Sequence, residues 1–190
     1  NMVKKIVGTG VLLVLALALQ AGVKMYTLKS PDGKVKLEVT AGQGIAYSLF
    51  YDGRLLLKPS RIALHTDLPE ADHWENIRIT GTKQRHVSET VQAPFYRVKE
   101  FGIDCNELEL RLNNGFSLLM RAYNDGMAYR FVAGRKGEMT VVEEKAEFNF
   151  ADDFEAYIPY STNPKDPWNM AFQNFYTKAP LTQYNTELPA

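Results

Sequence analysis

Apolar and charged positions alternate along the middle of the chain. Val35, Leu37 and Val39 are separated by Lys36 and Glu38, the period of two that a half-buried strand shows. Ile45, Tyr47, Leu49 and Tyr51 repeat the pattern, and Asp52-Gly53 then precedes Leu55-Leu56-Leu57. Asp-Gly accepts the positive φ angles of a type I′ turn, so these two runs are expected to form a hairpin. Leu108, Leu110 and Leu112 alternate again and stop at Asn113-Asn114-Gly115. Phe116 to Tyr123 follows, then Asn124-Asp125-Gly126, then Met127 to Val132. Strands joined by such turns predict an antiparallel meander. Further strands are predicted at 61–65, 74–80, 83–90, 95–101, 138–143 and 145–150. No long segment after residue 24 carries a 3.6-residue apolar period. The pattern predicts an all-β chain, a sandwich or barrel of short antiparallel strands.

The pattern changes at both ends. Lys4 and Lys5 precede an apolar stretch of 14 residues, Ile6 to Leu19, broken only by Gly8, Thr9 and Gly10. A charged start, a short apolar run and small residues describe a secretory signal peptide, expected over 1–22 with cleavage after Ala18 or Ala21. The run is short of the roughly 20 residues a membrane span needs. A buried N-terminal helix is the competing reading. Export to the periplasm or beyond is therefore expected, with no stable membrane insertion after cleavage. From about Asp152 onward, five of the nine prolines and a run of aromatic residues crowd together, among them Tyr157, Tyr160, Trp168, Phe172 and Phe175. Proline cannot donate to a strand ladder, so this stretch reads as a loop-rich cover or an interface.

Composition narrows the function classes. The 190 residues carry 22 basic and 22 acidic side chains, with no excess of the kind nucleic-acid proteins show. The two leader lysines account for part of that balance, which leaves 20 basic and 22 acidic residues after position 22. A single cysteine, Cys105, excludes an internal disulfide and any multi-cysteine zinc site. His65 and His73 bracket Asp67, Glu70 and Asp72, but the spacing matches no metal motif and reads as a solvated surface loop. Glu143-Glu144 are neighbours that a strand would send to opposite faces. Asp152-Asp153 reads as a turn cap. No pair of carboxylates is nominated for glycoside hydrolysis, and the chain has no phosphate loop or nucleophile elbow.

Five segments carry a family resemblance. They are SPDGKVKLEV (Ser30–Val39), YDGRLLLKPSRIAL (Tyr51–Leu64), RAYNDGMAYRF (Arg121–Phe131), AYIPY (Ala156–Tyr160) and FQNFYTKAPL (Phe172–Leu181). In this order and spacing they resemble the N-terminal domain of glycoside hydrolase family 97, and RAYNDGMAYRF is the most specific of them. The resemblance implies an antiparallel β-supersandwich, similar to galactose mutarotase, over 23–190 and incomplete at its C-terminal end. It implies a downstream (β/α)8 barrel holding the catalytic carboxylates, in a calcium-dependent, exo-acting α-glucosidase or α-galactosidase of the periplasm. The N-terminal domain would pack on that barrel and complete its active site around an oligosaccharide substrate. The chain alone would then hold no catalytic residue. The family supplies one glutamate to calcium from a segment of the type Phe-Glu-x-x-Tyr. The matching positions here are Phe172 to Tyr176, so Gln173 or Asn174, one of the two at most, stands as the candidate metal ligand. An amide oxygen still suits calcium, although it brings no negative charge; ordinary loop hydrogen bonding is the competing reading.

Two further functions remain open on the sequence. One is a stand-alone carbohydrate-binding sandwich using Trp74, Trp168, Tyr157 or Tyr160 as sugar platforms. The other is a mutarotase-like sugar epimerase with a histidine and a carboxylate as acid and base.

Overall fold

The computed structural model describes residues 24–161, 165 and 174–187. The expected signal peptide, Gln173 and Trp168 lie outside the described residues. The chain divides into two compact units, with the division between Asn149 and Phe150.

The first unit is an antiparallel β-sandwich, as the alternation predicts. One sheet has five strands in the order β1-β2-β3-β4-β9, and the other has four in the order β5-β6-β7-β8. The strands are β1 (Lys24–Lys29), β2 (Val35–Gly42), β3 (Gly44–Tyr51), β4 (Arg54–Thr66), β5 (Ile79–Gln92), β6 (Glu100–Leu112), β7 (Phe116–Tyr123), β8 (Gly126–Ala133) and β9 (Val141–Ala146). The core lies between the sheets. Leu37, Val39, Ile45, Tyr47 and Ile62 from one face meet Leu108, Leu110, Leu118 and Met120 from the other. Register keeps these on one side: Leu37 pairs with Leu49, Val39 with Tyr47, Leu108 with Met120 and Leu110 with Leu118. A slip of one residue would turn every one of them to solvent.

Turn chemistry fixes the hairpins. Asp52 (φ 48°) and Gly53 (φ 79°) both adopt the left-handed conformation that the type I′ turn needs. Asn124 and Asp125 also form a two-residue turn, closed by the Tyr123–Gly126 pair, but neither has a positive φ. Pro59 sits inside β4, where the register with β3 shifts and before the ladder to β9 begins at Ile62. It therefore removes no needed donor.

Side chains stitch the two sheets along both flanks. Gln84 Nε2 donates to the Thr27 carbonyl at 3.0 Å and Asn106 Nδ2 to the Lys29 carbonyl at 2.8 Å, so two amides of the four-stranded sheet cover the edge strand β1. On the opposite flank the Tyr129 hydroxyl of β8 donates to Glu144 of β9 at 3.1 Å.

Several expectations are corrected. β1 carries no alternation that announces it, since Leu28 is its one fully buried residue. Of the strand expected over 95–101, residues 95–99 are instead part of the turn between β5 and β6, and β6 starts at Glu100. Residues 74–78 form no ladder, although Trp74 and Ile77 are buried, and the two strands expected over 138–150 are the single strand β9. His65 and Thr66 belong to β4 rather than to a solvated loop, and Ala71 and Trp74 are core residues. Among the described residues, no helix is long and apolar enough to cross a membrane.

The second unit holds a short antiparallel pair, β10 (Glu155–Ile158) with β11 (Thr177–Pro180), followed by a single 3-10 turn, Leu181–Gln183. Asp153 accepts the Thr182 N–H at 2.9 Å and its hydroxyl at 2.8 Å, capping that turn. Asp152-Asp153, expected as a turn cap, does cap a turn, but Asp153 caps one 29 residues further along the chain.

Candidate functional site

The outward face of the four-stranded sheet carries one constellation of charge that the sequence reading does not nominate. The register places Arg85 of β5, Glu107 of β6 and Arg121 of β7 in one row across three neighbouring strands. Arg85 Nε donates to Glu107 Oε1 and Arg121 Nε to Oε2, each at 2.7 Å. The Glu107 side chain is 5% exposed, against 24% for Arg121 and 53% for Arg85. Burial pushes the Glu107 carboxyl up, but the two arginines outweigh it and hold the group below the ordinary glutamate range. The Tyr123 side chain and then Glu107 push the Arg121 guanidinium further up, so it stays charged throughout.

This geometry limits what the row can do. Both carboxylate oxygens are engaged by charged donors, so Glu107 is not poised to take or give a proton. The row carries one net positive charge, and the Arg85 side chain is half exposed. Cross-strand opposite charges of this kind hold register. The alternation of Leu108, Leu110 and Leu112 does place Glu107 on the outward face. Only the register with β5 and β7 reveals its partners, and the β5–β6 half of that register is not legible, because the segment that connects those strands reads as strand itself.

The histidines have partners that the sequence hides. His65 Nδ1 lies 2.7 Å from Asp72 Oδ1. The same loop is anchored by Trp74 Nε1, which donates to the Leu64 carbonyl at 2.9 Å. Asp72 is fixed in turn by its N–H to the Leu68 carbonyl at 3.0 Å. The pair therefore pins the crossover between the sheets. His86 meets Asn106 at 3.0 Å and Asp104 at 3.2 Å on an exposed part of the sheet. Trp74 is 6% exposed and packs edge-on against Phe131 with centroids 5.2 Å apart, so it is no sugar platform. Tyr160 packs on Tyr184 and accepts the Asn185 N–H, whereas Tyr157 is exposed. Cys105 is fully buried and acts as a small apolar residue.

Of the two candidate metal ligands, Asn174 is described. Its Nδ2 is buried without a hydrogen-bond partner. A metal would be met by Oδ1, the amide's acceptor, and would leave Nδ2 as it is. Calcium takes six to eight oxygens. Among the described residues no three or more His, Cys, Asp or Glu side chains converge to supply them. The described part of the chain therefore does not by itself fit a calcium centre.

Comparison with known proteins gives a consistent answer. Residues 28–190 match the family model described as glycosyl-hydrolase 97 N-terminal. The retaining alpha-galactosidase of Bacteroides thetaiotaomicron is 38% identical over 177 residues, which is 90% of this chain and 26% of that protein. A probable retaining alpha-galactosidase of Streptomyces bingchenggensis is 26% identical over 158 residues, or 81% of this chain and 24% of that protein. The chain thus spans about a quarter of the length of the curated relatives it matches. A glycoside hydrolase family 97 enzyme from Pseudoalteromonas sp. strain K8, solved with panose, superposes with a TM-score of 0.64 over 83% of this chain and 25% of its own, at 18% identity. A beta-arabinopyranosidase crystal structure superposes with a TM-score of 0.65 over 80% of this chain and 26% of its own, at 21% identity. At such identities these two structures speak for the fold. The sandwich, the motif blocks and the family match over 28–190 agree: the chain belongs to the glycosyl-hydrolase 97 N-terminal family.

Proposed function

We propose that this chain is the non-catalytic N-terminal domain of an exo-acting α-glycosidase, with α-galactosides as its first substrate class and α-glucosides as its second. The observation that carries this reading is the 38% identity, over 90% of the chain, to a retaining alpha-galactosidase of which the chain spans 26%. On that reading the reaction belongs to a (β/α)8 barrel in the remaining length. The sandwich packs on the barrel and helps close its active site around the oligosaccharide. The row at Glu107 fits a scaffold role, since its carboxylate is already fully engaged. Calcium in the whole enzyme would take one amide oxygen from Gln173 or Asn174 and its other ligands from elsewhere. The basic start and apolar run of residues 1–22 support export to the periplasm.

The test is to express the whole open reading frame and assay nitrophenyl α-galactoside and α-glucoside side by side. Faster release from the galactoside is expected. A folded product that cleaves neither overturns the reading, as does a reading frame that ends at Ala190. Calcium titration of the whole protein, with Gln173→Ala and Asn174→Ala separately, tests the metal. Unchanged affinity in both variants retires both residues.

A further inference from the structure

β5 and β6 run well past the rest of their sheet. β7 pairs with β6 only over Cys105–Arg111, whereas the β5–β6 ladder continues to Gln92–Glu100. Residues 88–92 and 100–104 therefore pair only with each other. Five residue pairs at a strand rise of about 3.4 Å make an arm of about 17 Å, before its tip is counted. The two faces of the arm differ. Val91–Phe101 and Glu89–Ile103 lie on one, and Ser88–Asp104, Thr90–Gly102 and Gln92–Glu100 on the other.

The tip is exposed, and its apolar side chains stand beside Arg97 and Lys99. Phe95 is 97% exposed, Tyr96 68%, Val98 53%, Phe101 43% and Val91 41%. It is also held in shape. The Ala93 N–H donates to the Lys99 carbonyl at 2.7 Å, the Tyr96 N–H to the Ala93 carbonyl at 3.0 Å, and Lys99 Nζ to the Pro94 carbonyl at 2.6 Å. Tyr96 stands edge-on to Phe101 with centroids 6.4 Å apart. An isolated exposed apolar residue needs no explanation, but a contiguous set on a fixed projection does.

We propose that this arm is a clasp whose tip docks into an apolar groove on the domain that follows in the same polypeptide. The proposal rests on the reading above that a barrel domain follows. Three observations favour that occupant. The curated relatives have about three-quarters of their length outside the region this chain matches, so a large partner is tethered. The five side chains offer on the order of 500 Å² in all, judged from about 150–250 Å² for a whole aromatic side chain. Twice that falls within the range of about 600–1,500 Å² for domain interfaces within one chain. It falls short of the roughly 1,600 Å² a stable complex of separate molecules buries, which disfavours a second copy. A tethered partner also has an effective concentration of about millimolar, so a small patch suffices. The tip is convex, whereas sugar and other small-ligand sites are concave.

Hydroxyl-radical footprinting of the whole protein tests this. Each side chain's oxidation rate in the native state is compared with its rate in denaturant. Phe95 and Tyr96 are expected to be slowed at least tenfold, and Tyr51, half-exposed at the end of β3, only about twofold. Phe95 and Tyr96 slowed no more than Tyr51 overturns the clasp. In that case protection elsewhere on the sandwich leaves the domain-packing reading standing, and its absence overturns that as well. Protection of the tip that falls as the protein is diluted assigns it to a second copy and overturns the clasp. Phe95→Ser/Tyr96→Ser in the whole protein adds a second readout, because both positions are exposed and the fold should survive. Faster proteolytic separation of the two domains is expected, and an unchanged rate counts against docking.

Discussion

Asn124 Oδ1 accepts the backbone N–H of Asp32 at 3.0 Å, across 92 positions of sequence. The bond ties the turn after β1 to the turn between β7 and β8, and so joins one end of the two sheets. Asp32 tightens its own turn by accepting the Ser30 hydroxyl at 2.6 Å and the Lys34 N–H at 3.0 Å. SPDGK and RAYNDGMAYRF, two of the segments that carry the family resemblance, thus meet. Asn124→Ala should cost about 1 kcal/mol, the usual net worth of one hydrogen bond. A melting temperature lower by about 2–4 °C is expected for a chain of this size. Asn124→Asp keeps the acceptor and should retain most of the stability. Identical melting of the alanine variant and the wild type would remove the tie from the account.

The row at Glu107 makes a graded prediction. Removing the carboxylate leaves Arg121 three-quarters buried and without its main charge partner. Glu107→Gln should cost about 2 kcal/mol, below the 3–5 of a fully buried pair because Arg85 is hydrated. Arg121→Met should cost nearly as much, and Arg85→Met less than about 1 kcal/mol. Urea unfolding orders the variants. Equal costs for the two arginines would contradict their unequal burial.

Acid should expose the same row. The carboxyl of Glu107 is held below 4.5, its ordinary value, in the folded chain. A group lowered on folding stabilises fully above its unfolded value, and that contribution fades as pH falls through the folded one. The stability difference between wild type and Glu107→Gln should therefore be constant above about pH 5 and shrink below about pH 4.5. Asp32, Asp67, Glu70, Glu147 and Asp153 are lowered too. They affect both proteins alike, so the difference isolates Glu107. A difference that stays flat down to pH 3 would refute the assignment.

What the sequence reveals follows the range of each interaction. β2, β3 and the β6–β7–β8 meander are legible because one face is buried and neighbours in sequence are neighbours in space. β1 is not, since it lies at an edge with a single fully buried side chain. Phe95, Tyr96 and Val98 look like strand on composition, yet they form an exposed tip; hydrophobicity alone does not say what covers a residue. The Glu107 row and the His65–Asp72 pair depend on register and on a folded crossover. Neither is encoded in a short window. The family resemblance reaches further than periodicity because it carries a whole ordered set of segments. It still does not place Glu107 between its arginines.

Trp74 separates two functional readings most directly. As a sugar platform it would be exposed, and its loss would spare the fold. In the structure it packs on Phe116 and Phe131 and donates its indole N–H to Leu64. Trp74→Ala should cost about 3–5 kcal/mol, the range for a large core residue. Trp74→Phe should keep most of the packing and lose about 1 kcal/mol with the hydrogen bond. Neither change should alter binding of an oligosaccharide by protein that remains folded. The outcome that would restore the platform is a phenylalanine variant as stable as wild type that has lost sugar binding. The expected order, with stability falling from wild type through phenylalanine to alanine and sugar response unchanged, assigns Trp74 to the plug between β4 and β5. That plug closes one end of the sandwich, where Ile77 N–H reaches the Gly42 carbonyl at 2.7 Å.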